Sequence, residues 1–508
     1  MKERNPNDAL FRLIKSMNQG EKRFFTLLCS RQGSSKGKDY ASLFHSIEKQ
    51  KKYDEPFLKK QLKSKGILFV ATKRYLYELV LDSLVQYYRT SPDKSLYGKI
   101  LEIEVLFEKG LYDLYEVLLH KLRKVAEERA DFLIVLETLK GERRLHIMRY
   151  KFYETEKLIE LRTKERLYIS LQEEIDDYLD LTNELVGYKN EFKNTNTKEF
   201  IALAELPLFT DVDRPRTLMS RLLLHNLRAV YYSLTNKSKS TLEEYSQMLE
   251  LIESNPNFPK SSPAFTSTSF TNYISSCISL QEYEKALSGV EKFKVFIVQH
   301  PELLKHKMII LYNNELDIYK FTRKKEEGLK LIKEAQRQMD GGEIVVEDMS
   351  RMYFALNVGY FFLDLEDYRT SQQWCSKILN FPSAEKINFV VYYNARLLQL
   401  INLFETKDFD LLSYRLKAFQ RVLRKYGKVE APEQLVIDLF NGILACKSST
   451  DQRELSKLFT RFKTSIEIAI KNRQASKELL FYSDISNWLN AVIEKYKFTA
   501  FGKRTVKK

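Results

Sequence analysis

The chain has 508 residues, 44% of them hydrophobic, and its 83 Lys and Arg against 68 Asp and Glu give a formal net charge of +15. This length allows roughly three domains or one extended array, and the apolar share excludes a mostly disordered chain. Because only 16 Gly, 11 Pro and 4 Cys are present, collagen-like chains, turn-rich all-β folds and disulfide scaffolds are also excluded.

The excess positive charge lies at the two ends of the chain. Residues 1–90 hold 19 Lys and Arg against 9 Asp and Glu, and residues 495–508 hold six basic residues and no acidic one. Residues 91–494 are nearly neutral. The sequence therefore predicts a basic helical module over 1–90 and a basic tail over 495–508.

The apolar residues are arranged as in a protein that does not cross a membrane. The first residues are too charged to open a signal peptide. The most apolar stretch, 387–404, is interrupted by Asn388, Asn394 and Arg396, so it falls short of the roughly 18 uninterrupted apolar residues that a span needs. We therefore expect a cytoplasmic protein.

The basic module is predicted to form four or five helices over residues 8–90. Two short helices, over 39–50 and 54–65, precede a longer one over 71–89, an order that fits a helix-turn-helix. The second helix would present four lysines to phosphate groups: Lys59, Lys60, Lys63 and Lys65. The alternative is a solvated lysine face, which is favoured because only Gln61 suits the edges of bases.

The longer helix of this module carries apolar side chains almost all round, including Tyr75, Val85 and Tyr88. Such a pattern predicts a helix that is buried on every side.

Motifs that suggest catalysis fail on their context. Residues 33–37 match the G-x-S-x-G pattern of hydrolases, but a helix rather than a strand precedes them. As a phosphate loop the same stretch has Asp39 where a hydroxyl is needed, so we interpret it as a linker. The six histidines are scattered without metal-binding spacing. The sequence predicts no catalytic residue, metal or cofactor.

Helical periodicity continues through residues 91–266, which are predicted to form divergent helical hairpins. Apolar residues between 156 and 178 recur at steps of three, four or six residues. Residues 109–115 also fit a turn followed by the restart of a helix.

A repeat is evident from about 267 to 425. Each unit has a helix with spaced aromatic residues, a short polar turn and a second amphipathic helix. The four units align, at intervals of 42, 43 and 41 residues, on Ala286, Gly328, Ser371 and Leu412. Three of these are small residues, which indicates close packing of the two helices. Aromatic residues three positions earlier are predicted to fill the groove between the helices: Tyr283, Tyr368 and Phe409.

This pattern of an aromatic residue followed by a small one resembles the tetratricopeptide repeat family. The spacing of Gly359, Phe362 and Leu365 also matches the first helix of that family. The repeat is longer than the 34 residues or so of that family, and the leading Trp is absent. The resemblance covers about a third of the chain and implies an all-α solenoid of antiparallel helical hairpins. Residues 13–25 look similar to the opening of uncharacterised bacterial helical-repeat proteins, which implies no activity.

Stacked hairpins curve, and their first helices line the concave side. In the tetratricopeptide-like phase, the exposed positions of these helices are Asn313, Asp317, Lys320, Tyr353, Tyr360 and Asn394. A groove that mixes amide, charge and tyrosine suits an extended peptide or another helix. Alternatively, the two tyrosines pack between hairpins.

The sequence thus predicts a non-enzymatic scaffold that binds a protein or peptide through residues 267–425, with capping helices over 426–494. The alternative is a nucleic-acid-associated regulator, in which the basic module binds nucleic acid and the repeats act as a sensor or dimerise.

Overall fold

A computed structural model shows that the protein is all-α, as the sequence predicts. The part of the chain that the structure describes forms 26 helices and no strand. None of these described helices is long and apolar enough to cross a membrane. The described residues are 8–31, 35–50, 53–61, 66–89, 96–150, 155–190, 195, 197–344, 346–425, 431–446, 452–471 and 482–502.

The chain divides into two compact units, and the first covers residues 1–170. Its helices are α1 (Ala9–Ser16), α2 (Gln19–Arg31), α3 (Ser35–Lys49), α4 (Glu55–Gln61), α5 (Gly66–Arg89), α6 (Leu96–Glu108), α7 (Tyr112–Glu128), α8 (Phe132–Tyr150) and α9 (Thr155–Asn190), which continues into the second unit. Helices α1 to α5 enclose one apolar core, where the rings of Phe25 and Phe44 lie 4.4 Å apart. Helices α6 to α9 enclose another around Tyr115 and Leu161.

Helix α5 is not buried on every side, and the sequence prediction is wrong on this point. Leu76 and Val80 are buried, whereas Tyr75, Val85 and Tyr88 are 47%, 48% and 36% exposed. Among the described helices, α1, α2 and α3 pack on α5 and cover these side chains only in part, since Tyr75 lies beside Tyr40 and Tyr88 donates to Glu21.

The second unit covers residues 171–508. Its helices after α9 are α10 (Lys198–Leu203), α11 (Pro207–Thr210), α12 (Leu218–Leu234), α13 (Ser238–Glu253), α14 (Phe258–Ser261), α15 (Pro263–Ser279), α16 (Tyr283–Gln299), α17 (Pro301–Phe321), α18 (Lys325–Asp340), α19 (Asp348–Asp364), α20 (Tyr368–Leu379), α21 (Ala384–Ile387), α22 (Phe389–Glu405), α23 (Phe409–Lys425), α24 (Ala431–Ala445), α25 (Gln452–Lys471) and α26 (Tyr482–Gly502).

Five hairpins of this unit share one construction. Each pairs a first helix (α12, α15, α17, α19 or α22) with a second helix (α13, α16, α18, α20 or α23). Several second helices also pack on the next first helix, as α13 does on α15 and α20 on α22. Two apolar clusters therefore span several hairpins each, one from α12 to α17 and the other from α17 to α26.

The turn inside each hairpin places one residue in the left-handed region of the backbone. In the second unit these residues are Asn236, Gln281, Arg323, Glu366 and Lys407, with φ between 57° and 62°. The next residue donates its N–H to the carbonyl five positions earlier, as from Glu282 to Cys277 at 2.9 Å. This geometry closes a helix C-terminus. The hairpin α12–α13 shares it, although residues before 267 show no clear repeat.

The first unit contains the same turn. Gly110 has a φ of 72°, and the N–H of Leu111 donates to the carbonyl of Leu106 at 2.9 Å. Helix α7 begins directly afterwards, so the turn and restart expected over 109–115 are confirmed.

The aligned positions of the repeat are buried. Ala286, Ser371 and Leu412 are fully buried, and the hydroxyl of Ser371 donates to the carbonyl of Gly359 in the other helix of its hairpin at 2.8 Å. In the aromatic position, Tyr283 stacks on Phe321. Phe409 remains 44% exposed, so it does not fill the groove as expected.

Replacing Lys407 with glycine is expected to stabilise the second unit by about 0.5–1 kcal/mol, because a side chain raises the energy of a left-handed residue. The matched control is Lys417→Gly, an exposed position in the middle of α23, which should lose about 1 kcal/mol. Urea unfolding of the two variants, followed by circular dichroism, measures both effects. Equal destabilisation by the two changes would contradict the turn geometry.

Candidate functional site

One face of the first helices keeps the same register in all five hairpins. It consists of the residues 13, 10, 6 and 3 positions before the left-handed turn residue, a spacing that places them on one side of a helix. We call it the first-helix face. The six residues predicted to bind a partner all lie on it: Asn313, Asp317, Lys320, Tyr353, Tyr360 and Asn394.

The polarity of this face changes between α17 and α19. At the last three register positions, α12, α15 and α17 carry Asn226, Val230, Ser233, Thr271, Ser275, Ile278, Asn313, Asp317 and Lys320. At the same positions, α19 and α22 carry Leu356, Tyr360, Leu363, Leu397, Ile401 and Phe404, all of them buried. We call these parts the polar half and the apolar half of the first-helix face.

The C-terminal helices of the chain cover the apolar half. Helix α26 packs on α19 as well as on α25. At the end of α22, the ring of Phe404 lies 5.4 Å from that of Phe459 on α25 and 6.3 Å from that of Trp488 on α26. The indole N–H of Trp488 donates to Oε1 of Glu405 at 2.8 Å. This cover accounts for the apolar side chains below it.

Three of the six predicted residues are not exposed, which corrects the sequence analysis. Tyr360, which lies in the apolar half, is 1% exposed, in agreement with the alternative that it packs between hairpins, and Asn394, at the first register position of α22, is 0% exposed. Lys320 is 6% exposed although it lies in the polar half. Asn313, Asp317 and Tyr353 are half-buried.

Lys320 is the buried partner of Asp317 in an ion pair. Its side chain is 1% exposed, and its Nζ lies 3.0 Å from Oδ1 of Asp317, which is 28% exposed. The ammonium also lies 5.0 Å from the ring centre of Phe321. The buried positive charge compensates the carboxylate, which remains the accessible member of the pair.

Asn313 is held by its neighbours. Its Nδ2 donates to the carbonyl of Ile309 at 3.1 Å, and its Oδ1 accepts from Nδ2 of Asn357 on α19 at 3.0 Å. This cross-helix bond fixes the amide at the junction of α17 and α19, directly where the polar half ends.

Several side chains of the first-helix face on α15 and α17 offer hydrogen-bond acceptors. The hydroxyls of Thr268 and Thr271 donate to the carbonyls of Ala264 and Ser267 in their own helix, so each hydroxyl oxygen can only accept from a further partner. Asp317 is also an acceptor. This row of acceptors suits a ligand that supplies N–H groups.

Sequence reasoning missed the α12 and α15 members of this face, such as Asn226, Thr271 and Ser275. The signal was available in the positions before Asn236 and Gln281. The prediction stopped short of these helices, although the turn at Gln281 belongs to the four aligned units and asparagine often adopts the left-handed region.

Two of the four lysines predicted to contact phosphate are described. Lys59 lies 2.8 Å from the carboxylate of Glu55, which also pairs with Lys73 at 3.2 Å. The hydrogen bond from Lys59 lowers the pKa of Glu55 to about 2, against the opposing effect of burial. Lys60 is exposed. Lys63 and Lys65 lie outside the described residues, and phosphate contact by this helix stays a prediction.

An open cavity of about 510 Å³ lies beside α12 and α13 and is lined in part by Arg221, His225 and Arg228. Two of these side chains already bind other groups of the protein. Arg228 donates to the carbonyl of Phe209 at 2.6 Å, and Nδ1 of His225 lies 2.7 Å from Glu244. Over the described part of the chain, no cluster of His, Cys, Asp and Glu is arranged to hold a metal ion.

The chain matches no family model, no curated protein and no solved structure.

Proposed function

We propose that the protein is a non-enzymatic scaffold of tetratricopeptide-like hairpins, and that its polar half binds an extended segment of a partner protein. In this reading the hairpins stack as a solenoid and the first helices line its concave side. The recurrent turn geometry at 41–45-residue intervals supports the repeat. The single observation that carries the function is the row of acceptors that Thr268, Thr271 and Asp317 form on α15 and α17.

An extended peptide matches that row chemically. Its main chain offers an N–H group at every residue except proline, whereas a helix uses most of its own N–H groups internally. The partly exposed amide of Asn313 and the carboxylate of Asp317 add two fixed acceptors at one end. Because Lys320 compensates Asp317, the face has little net charge and favours main-chain recognition over charge attraction.

Selection of a random peptide library on the immobilised full chain tests this function. The selected peptides are then measured against Ser275→Arg and Ser288→Arg, which make the same change on the first and second helices of one hairpin. Both serines are exposed. We expect Ser275→Arg to weaken binding at least about tenfold, since a bulky cation blocks the row, and Ser288→Arg to leave it unchanged. Failure to enrich any peptide, or equal binding by both variants, would refute the proposal.

A further inference from the structure

We infer that the apolar half is a binding site for an amphipathic helix that carries an indole and an ammonium group two turns apart, and that α26 is its resident occupant. An external helix with the same pattern would replace α26. The inference extends the proposed function from the polar half to the rest of the first-helix face.

The buried side chains of α26 have the spacing of a helix that lies in a groove. Ile485, Trp488, Leu489 and Val492 occupy positions i, i+3, i+4 and i+7 and are at most 7% exposed. This is the anchor pattern by which helical ligands fill apolar grooves. The opposite side of the helix is exposed, at Asn487 and Glu494 for example.

Glu405 adds polar recognition at the end of the groove. Its carboxylate accepts from Trp488 at 2.8 Å and lies 3.5 Å from Nζ of Lys495. Trp488 and Lys495 are seven residues apart and so lie on one side of α26. Burial, together with Glu405, raises the pKa of Tyr368, which places a third donor beside the same carboxylate.

The contrast between the two halves favours a ligand-like role for α26. The polar half carries mainly polar side chains that are partly exposed, whereas the apolar half, where α26 packs on α19, carries six buried apolar side chains at the same positions. The Lys495 side chain remains 62% exposed, so part of the recognition occurs at the rim, where an incoming helix begins its contact.

A labelled synthetic peptide with the sequence of residues 482–502 tests the inference on the full chain. The wild-type protein should bind it weakly, since the tethered α26 competes at an effective concentration on the order of millimolar. The variant Trp488→Ala should bind the peptide at least about tenfold more tightly, because indoles are frequent anchors of binding energy. Asn487→Ala, an exposed change in the same helix, should behave as wild type.

A folded Trp488→Ala protein that binds the peptide no better than wild type would overturn the inference. If that variant does not fold, Lys495→Glu replaces it, because this exposed side chain contributes little to the core. The reversed charge opposite Glu405 should tighten peptide binding about two- to fivefold, and no change would overturn the inference equally. A peptide whose tryptophan is replaced by alanine should bind neither variant.

The two proposals fail separately. Ser275→Arg lies in the polar half, so it should abolish binding of library-selected peptides and leave binding of the 482–502 peptide to Trp488→Ala intact. A chain that captures the 482–502 peptide and no library peptide would refute the proposed function alone. Domain-swapped dimers of wild type, detected by size-exclusion chromatography, would show that the replacing helix comes from a second copy and not from a partner.

Discussion

Gly328→Ala should lower the free energy of unfolding of the second unit by about 1–3 kcal/mol, because the added methyl group would overlap the ring of Phe361. Gly328 belongs to α18 and Phe361 to α19, so this is a contact between consecutive hairpins. Phe361 is 2% exposed and packs edge-on against Phe362 at 5.7 Å. Its ring therefore moves only by displacing other core side chains.

Gly328→Ala should stabilise the protein instead of destabilising it when the ring of Phe361 is removed. Phe361→Ala alone should cost about 3–5 kcal/mol. In that background, Gly328→Ala fills part of the cavity and improves helix propensity, so it should stabilise. Calorimetry of the two single variants and the double variant measures the coupling.

The matched control for this contact is Gly187→Ala in α9, where a new methyl group meets no atom within 4 Å. It should stabilise by up to about 1 kcal/mol. If Gly328→Ala were as harmless as this control, the two hairpins would not approach as closely as described.

The second large effect concerns a buried carboxylate between α16 and α17. Lys294→Met should cost about 3 kcal/mol, because it leaves Glu315 buried without its counter-charge. Glu315 is 3% exposed, and its Oε1 accepts from Lys294 at 2.7 Å and from Tyr319 at 2.9 Å. Burial lowers the pKa of Lys294, but hydrogen bonds to Glu315 and Glu291 outweigh it and leave the pKa above its usual value.

The double variant Lys294→Met/Glu315→Gln should recover most of this loss, since the neutral amide needs no counter-charge and still accepts from Tyr319. Glu315→Gln alone should cost less than Lys294→Met, because Lys294 keeps Glu291 at 3.0 Å and is one-third exposed. Urea unfolding of the three variants completes the double-mutant cycle. Losses that simply add would show that the two side chains are not coupled.

The alternation of helices and turns was readable from the chain. Apolar steps of three and four residues predict helices because a helix turns once in 3.6 residues, and this holds wherever one side of the helix is buried. The alignment of Ala286, Gly328 and Ser371 identified positions of close helix contact for a similar reason: close approach of two helices requires small side chains. At Ser371 the contact lies within a hairpin, and at Gly328 it lies between consecutive hairpins. The register of the six predicted partner residues follows from the same local rule.

The sequence did not predict in the same way which residues of the first-helix face are exposed. Lys320 was expected at the surface because lysine usually lies there, yet Asp317 and Phe321 hold its ammonium inside. Asn394 was expected in an open groove, and Tyr360 either there or packed between hairpins, yet both are fully buried. Helix α26, which follows much later in the chain, packs on the helix of Tyr360. For α5 the error had the opposite sign: burial was expected, yet the helices packed on it cover several of its apolar side chains only in part.

The sequence by itself determined that this protein is helical, where its hairpins turn in residues 267–425, and which side of α17, α19 and α22 belongs to a common face. Helical propensity, periodicity and close packing act over a few residues, and the order of side chains suffices to express them. Only the tertiary structure decided which half of that face is open, because cover comes from whichever distant segment folds onto it. Burial of a residue depends on the whole chain in three dimensions.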